Sequence, residues 1–179
     1  MQTLQLRPDF ILSVGGIAAA PDERAMERQA WRGKFDAVIN VSDTPELAVN
    51  PLPGLLTHWF PIQETSAWGY SSLFASKRVL DWLWKGPARV LVHCHGGTNR
   101  SLTVAQIWLD SVGIAQEFRG ARSQIKHNLS MGHMPAHYEE FLQAMNKFPN
   151  YSELGIVDEI GQYREVFAKK PCNKAQDLS

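Results

Sequence analysis

Residues 90–101 read VLVHCHGGTNRS, and the reading of the chain starts there. Val90, Leu91, Val92 and His93 form a short apolar, β-branched run. Gly86-Pro87 bounds it on one side and Gly96-Gly97 on the other, the pattern of a buried strand. Cys94 follows, then five residues, then Arg100. Residues 101–109, SLTVAQIWL, read as an apolar helix. A cysteine therefore ends a strand, a glycine-bearing loop follows, and a helix starts at an arginine. Such a loop turns backbone N–H groups inward above a helix N-terminus, which favours an anion. The planar fork of Arg100 can grip two oxygens of that anion. The same positive surroundings favour the thiolate of Cys94. A thiolate facing a bound phosphate is a nucleophile facing its electrophile.

Working outward, 10–14 reads as a strand closed by Gly15-Gly16. A short helix is expected over 18–32, with Pro21 near its start and Gly33 as its stop. Strands are expected over 35–41 and 55–62, with a proline-rich loop over 42–54. Residues 63–70, QETSAWGY, read as a polar loop. An amphipathic helix over 71–85 directs Leu73, Val79, Leu80, Leu83 and Trp84 to the core. Helices are also expected over 101–112, 116–127 and 135–148. Strands alternating with helices imply an α/β fold: a central, mostly parallel sheet flanked by helices. The loop after Cys94 then lies at the carboxyl end of a central strand, where such sheets bind ligands. Residues 1–150 are read as one catalytic domain. Residues 151–179 are read as a C-terminal helix and a polar tail.

The run His93-Cys94-x-x-Gly97-x-x-Arg100-Ser101 resembles the signature loop of the cysteine-dependent protein tyrosine phosphatases. The stretch ILSVGGIAAAPD…GKFDAVINVSD is similar to the N-terminal half of dual-specificity phosphatases. The resemblance spans roughly residues 10–147. It implies that Cys94 attacks phosphorus and that Arg100 holds the equatorial oxygens. His95, Gly96, Gly97, Thr98, Asn99 and Arg100 would line the phosphate cradle with backbone N–H groups. Ser101 would donate to the sulfur and help it leave. His93 would sit behind the cysteine and order the loop.

The leaving alcohol needs a proton, and the family takes it from an Asp on a separate, upstream loop. At that place this chain has Pro61-Ile62-Gln63-Glu64-Thr65, so Glu64 is the candidate acid. Asp43 is a weaker alternative. Trp68 and Tyr70 flank the acid candidate, with core packing favoured over stacking on a substrate ring.

The resemblance implies a phosphatase acting on phosphotyrosine, with phosphoserine and phosphothreonine as further substrates. A second reading is an RNA or nucleotide 5′-triphosphatase, because Asn99-Arg100-Ser101 is close to the NRT of that branch, which lacks the Asp acid. A third is a phosphate-binding module with weak catalysis. Phosphoinositide phosphatases carry lysines in the loop, and this loop has none. A rhodanese-type loop closes differently, and the low-molecular-weight phosphatases place the motif near the N-terminus.

The expected partner is a phosphorylated protein or a small phosphoester. The 18 Lys+Arg balance the 18 Asp+Glu, which argues against a strongly basic nucleic-acid binder and leaves an RNA 5′ end as the only nucleic-acid partner considered. The two cysteines, Cys94 and Cys172, imply no disulfide framework, and a working thiolate suits a reducing, cytoplasmic setting. The apolar run over 10–20 ends in small residues, as a secretory signal does, but its double glycine and its flank with Arg7 and Asp9 suit a strand and turn. No stretch is long enough to span a membrane. No cofactor or metal is expected. His133 and His137 have zinc-like spacing, but Pro135 interrupts them and no acidic partner follows.

Overall fold

A computed structural model of the chain describes residues 1–17, 21–44, 53–64, 68, 70–134 and 137–147. The expected tail over 151–179 lies outside the described residues, as does most of the proline-rich loop. Five strands form one sheet: β1 (Gln2–Arg7), β2 (Phe10–Gly15), β3 (Ala37–Asn40), β4 (Leu56–Trp59) and β5 (Ala88–His93). Their order is β1-β2-β5-β3-β4. β5 pairs in parallel with both β2 and β3, and β4 is parallel to β3. Only β1, on the edge, is antiparallel. The expected α/β architecture is therefore observed, with the run before Cys94 at the centre.

β1 is an addition to the sequence reading. Residues 2–7 carry Leu4 and Leu6 in alternation, and Pro8-Asp9 turns the chain so that Arg7 faces Phe10. That is a hairpin signal of two alternating runs around a turn dipeptide. β4 is shorter than the 55–62 expected, because the chain leaves the sheet at Phe60 towards the site.

The helices are α1 (Pro21–Trp31), α2 (Tyr70–Leu83), α3 (Arg100–Ser111), α4 (Ala121–Ser130) and α5 (Tyr138–Lys147). α4 starts later than the 116 expected, since Gly120 takes φ +84° immediately before it. A left-handed residue cannot continue a helix, and glycine adopts that conformation without a Cβ clash.

Alternation along β5 feeds two cores. Val90 and Val92 join Leu12, Ile39, Leu80, Trp108 and Phe141 in the larger core. Leu91 and Val38 face the other way, onto Trp31 of α1 and Phe35. A strand buried on both faces is what a parallel α/β sheet requires. α3 is buried along nearly its whole length, from Arg100 to Leu109. Each fully buried Leu or Ile there contributes about 1.5–3 kcal/mol of transfer free energy. The element that begins at Arg100 is thus among the best-fixed parts of the molecule.

Because β2, β3, β4 and β5 are parallel, their carboxyl ends share one edge of the sheet. The turns after Gly15, Asn40, Trp59 and His93 converge there. Among the described residues no helix is long and apolar enough to cross a membrane.

Candidate active site

The loop over 94–99 rests on the Gly15-Gly16 turn. Cys94 N–H donates to Gly15 O at 3.2 Å, and Ile17 N–H donates to His95 O at 3.0 Å. Gly97 has φ +70°, and a Cβ there would lie 2.2 Å from Gly16 N. A Cβ on Gly16 would lie 2.4 Å from His95 O. Two backbones approach here more closely than any side chain permits.

Cys94 is 2% exposed. Its Sγ accepts the Gly97 N–H at 3.2 Å and lies 3.4 Å from Ser101 Oγ. Ser101 Oγ also bonds Gly15 O at 3.1 Å. A serine has one proton for these two partners. With a thiol, Cys94 donates to Oγ and Ser101 donates to Gly15 O. With a thiolate, the Ser101 proton can turn to the sulfur. The hydroxyl is thus placed to serve both states of the cysteine.

His93 ends β5, fully buried, with its ring 5.0 Å from Trp31. Its Nδ1 makes a long contact of 3.4 Å with Cys94 O. A carbonyl only accepts, so the proton sits on Nδ1. Burial pushes the imidazole down to about 4, against a smaller opposing pull from that hydrogen bond, so His93 is neutral. It stands behind the loop and does not enter it.

Arg100 is 2% exposed and draws its partners from two other loops. Nη1 donates to Ile62 O at 2.9 Å and to Asp43 Oδ1 at 3.3 Å, and Nη2 to Glu64 Oε2 at 3.4 Å. Nε is buried with no partner among the described residues. A guanidinium directs Nε–H and one Nη–H in parallel, the fork that grips two oxygens. Arg100 therefore keeps a buried donor unspent.

Both carboxylates are more than half exposed, Asp43 at 54% and Glu64 at 56%. Asp43 comes from the turn after β3, which Asn40 shapes by accepting from Ser42 N–H at 2.8 Å and donating to Thr44 O at 2.7 Å. Partial burial pushes the Asp43 carboxyl up. Hydrogen bonds from its own backbone N–H, Arg100 and His95 outweigh this and hold it below the usual carboxylate range. His95 Nε2 lies 3.0 Å from both Asp43 Oδ1 and Thr44 Oγ1. The His95 side chain thus serves the rim of the site rather than its floor.

The structure brings Cys94, Arg100, Ser101, Asp43 and Glu64 together, with Gly96 and Thr98 exposed at the mouth. Trp68 is 3% exposed and lies in the core. Sequence reading missed the Ile62 carbonyl, Thr44 and Asn128. Asn128, on α4, donates to Asn99 Oδ1 at 2.8 Å. None of the three carries a local signal, because each reaches the site through tertiary packing.

No protein-family model and no curated protein sequence matches the chain. Solved structures do. A DUF442 protein from Shewanella putrefaciens CN-32 superposes with a TM-score of 0.51 at 16% identity, over 81% of this chain and 88% of that one. Tk-PTP in its active form gives 0.48 at 22% identity, over 82% and 97%. DUSP15 gives 0.49 at 15% identity, over 94% and 97%. At such identities the likeness is one of fold, and the fold is the α/β arrangement described above.

Proposed function

We propose that this chain is a cysteine-dependent phosphatase of the tyrosine and dual-specificity kind and hydrolyses phosphomonoesters through a cysteinyl-phosphate intermediate. The observation that carries the reading is the pairing of two buried groups in one loop. Cys94 Sγ sits under an inward N–H, and Arg100 stands six residues on with its Nε unspent.

Cys94 attacks as the thiolate. The S–P bond forms as the bond from phosphorus to the leaving oxygen breaks. That oxygen takes a proton from Glu64. Arg100 and the N–H groups of residues 95–100 hold the equatorial oxygens, where charge develops. Water then attacks phosphorus, gives its proton to the Glu64 carboxylate, and displaces the sulfur. Ser101 O–H turns from Gly15 O to the departing thiolate. Orthophosphate leaves, and the site is restored.

A phosphotyrosine side chain, with phosphoserine and phosphothreonine behind it, is the substrate class this reading favours. Asp43 and Glu64 put two carboxylates at the mouth, where the outer phosphates of a 5′-triphosphate would meet like charge. A free thiol at the site suits a reducing compartment such as the cytoplasm.

Hydrolysis of an aryl phosphate by the wild type, inhibited by vanadate and insensitive to EDTA, tests the proposal. Cys94→Ser should reduce it to background. A Cys94→Ser variant with undiminished turnover would sink the mechanism. A wild type that binds vanadate without turning over any phosphoester would leave a binding module instead. Orthophosphate release from triphosphate-ended RNA, compared with a phosphotyrosine peptide, separates the two substrate classes.

A further inference from the structure

The groups assigned so far come from loops at the sheet edge and from the first turn of α3. One buried side chain from α4 reaches the same cradle. Asn128, fully buried on α4, donates through Nδ2 to Asn99 Oδ1 at 2.8 Å and to Thr103 Oγ1 at 3.0 Å. Its own Oδ1 is buried with no partner among the described residues. An unmet buried acceptor is unfavourable, and an apolar residue of similar size would avoid it. Packing alone therefore does not explain an amide here.

Asn99 is equally informative. It is the N-cap of α3, at φ −119° and ψ −84°, yet its side chain makes no capping bond. An N-cap asparagine ordinarily accepts from the first turn of its own helix. In this chain that acceptor is spent on Asn128 instead, one residue before Arg100.

The backbone of Asn128 faces the other way. Its carbonyl accepts from His133 N–H at 2.9 Å and Met134 N–H at 3.3 Å. His133 O in turn accepts from Trp68 N–H at 2.7 Å. Trp68 is buried in the core on the segment that follows Glu64. Hydrogen bonds thus link Asn99, Asn128, His133 and Trp68, and so tie the phosphate cradle to a core residue four positions along the chain from Glu64.

We propose that Asn128 is a positioning residue that holds the cradle, through Asn99, in register with Trp68, four residues beyond the candidate acid Glu64. The proposal rests on the phosphatase reading for the meaning of the register, and on geometry alone for the link. Its loss should act in two ways. Arg100 and the cradle lose a lateral restraint, which weakens anion binding. The acid loses its alignment with the leaving oxygen, which harms poor leaving groups most.

The test compares wild type, Asn128→Leu, Asn99→Ala, the double variant and Thr103→Val in the full chain. Vanadate binding is followed by calorimetry, thermal unfolding by circular dichroism, and kcat over aryl phosphates of graded leaving-group pKa. Asn128→Leu is expected to bind vanadate about tenfold more weakly, as for the loss of one buried hydrogen bond. It should also show a steeper dependence of kcat on leaving-group pKa. Asn99→Ala should match it, and the double variant should be no worse than either single one, because both cut the same link. Thr103→Val should bind vanadate as the wild type does. Unchanged vanadate affinity in both Asn99→Ala and Asn128→Leu would overturn the proposal, and so would additive losses in the double variant. Should Asn128→Leu fail to fold, Asn99→Ala carries the same comparison. A wild type without turnover would end the phosphatase reading, while the vanadate ratios would still decide the positioning role.

Discussion

Gly97 and Gly16 meet backbone to backbone, so that a Cβ on Gly97 would lie 2.2 Å from Gly16 N. The atom in the way is main chain, and no rotamer relieves the clash. The left-handed φ of +70° at Gly97 adds strain for any other residue. Gly97→Ala must therefore move the loop off the Gly15-Gly16 turn. The N–H that Gly97 directs to Cys94 Sγ moves with it. A shift of about 1 Å in such a site costs about 10²-fold in rate. Gly97→Ala is expected to lose at least that much kcat/KM and to unfold at lower temperature. Gly96→Ala is the stability control, since its Cβ would meet only Thr98 Oγ1 at 3.6 Å. Equal melting temperatures for the two variants would refute the close-approach argument.

If Arg100 binds phosphate as proposed, Asp43 competes with it for the guanidinium. Its Oδ1 lies 3.3 Å from Nη1, and hydrogen bonds from its own backbone, Arg100 and His95 keep it ionised. An incoming dianion meets this carboxylate at the mouth. With its carboxylate half-exposed and the contact long, this pair is worth about 1 kcal/mol, so its removal is a modest gain in affinity. Asp43→Asn should lower the inhibition constant of orthophosphate or vanadate by about two- to fivefold. The gain should shrink at high salt, because exposed charges are screened. Weaker inhibition in Asp43→Asn would mean that the carboxylate orients Arg100 more than it opposes the anion.

Much of this arrangement is written locally in the chain. The apolar run 90–93 with its flanking glycines announces the central strand, and the Cys94 to Arg100 spacing announces the loop. The role of Gly15-Gly16 is only half legible. A strand ending in glycines can be read, but that the turn is a bed for residues 95–97 is a tertiary fact. Asn128 is illegible for the same reason. Its partner Asn99 is 29 residues away, and one asparagine in a helix ordinarily reads as polar surface. Met131 shows the converse, a large apolar side chain that is 58% exposed. The ranking of Glu64 over Asp43 followed position in the chain, whereas folding lays both carboxylates on one guanidinium.

The buried histidines make stability pH-dependent. Burial pushes His93 and His58 down to about 4 from an ordinary 6.5. Both are neutral in the native state near neutrality. Below 6.5 the unfolded chain takes up protons that the folded chain refuses. Stability is therefore fully present above 6.5 and is lost as pH falls towards about 4. The slope approaches ~1.4 kcal/mol per pH unit for each histidine. Urea midpoints should fall steadily between about pH 7 and 5. A midpoint level across that window would show that neither histidine is held neutral by the fold.

Glu64 carries the sharpest chemical prediction. Its Oε2 lies 3.4 Å from Arg100 Nη2, and its side chain is 56% exposed, so it can reach both the cradle and solvent. A general acid matters in proportion to how badly the leaving oxygen needs a proton. Nitrophenolate needs little, and an alkoxide needs it fully. If Glu64 is the donor, Glu64→Gln should slow alkyl phosphates by about 10²–10⁴-fold and change aryl phosphates far less. Asp43→Asn should show no such dependence, because the hydrogen bonds from Arg100 and His95 favour the ionised form of the Asp43 carboxyl. If the leaving-group dependence follows Asp43→Asn instead, arrival of the phosphate dianion must release Asp43 from those partners and protonate it. The acid would then belong to the turn after β3. Rate ratios unchanged from the wild type in both variants would remove both carboxylates from proton transfer, leaving the enzyme dependent on substrates whose leaving groups depart unassisted.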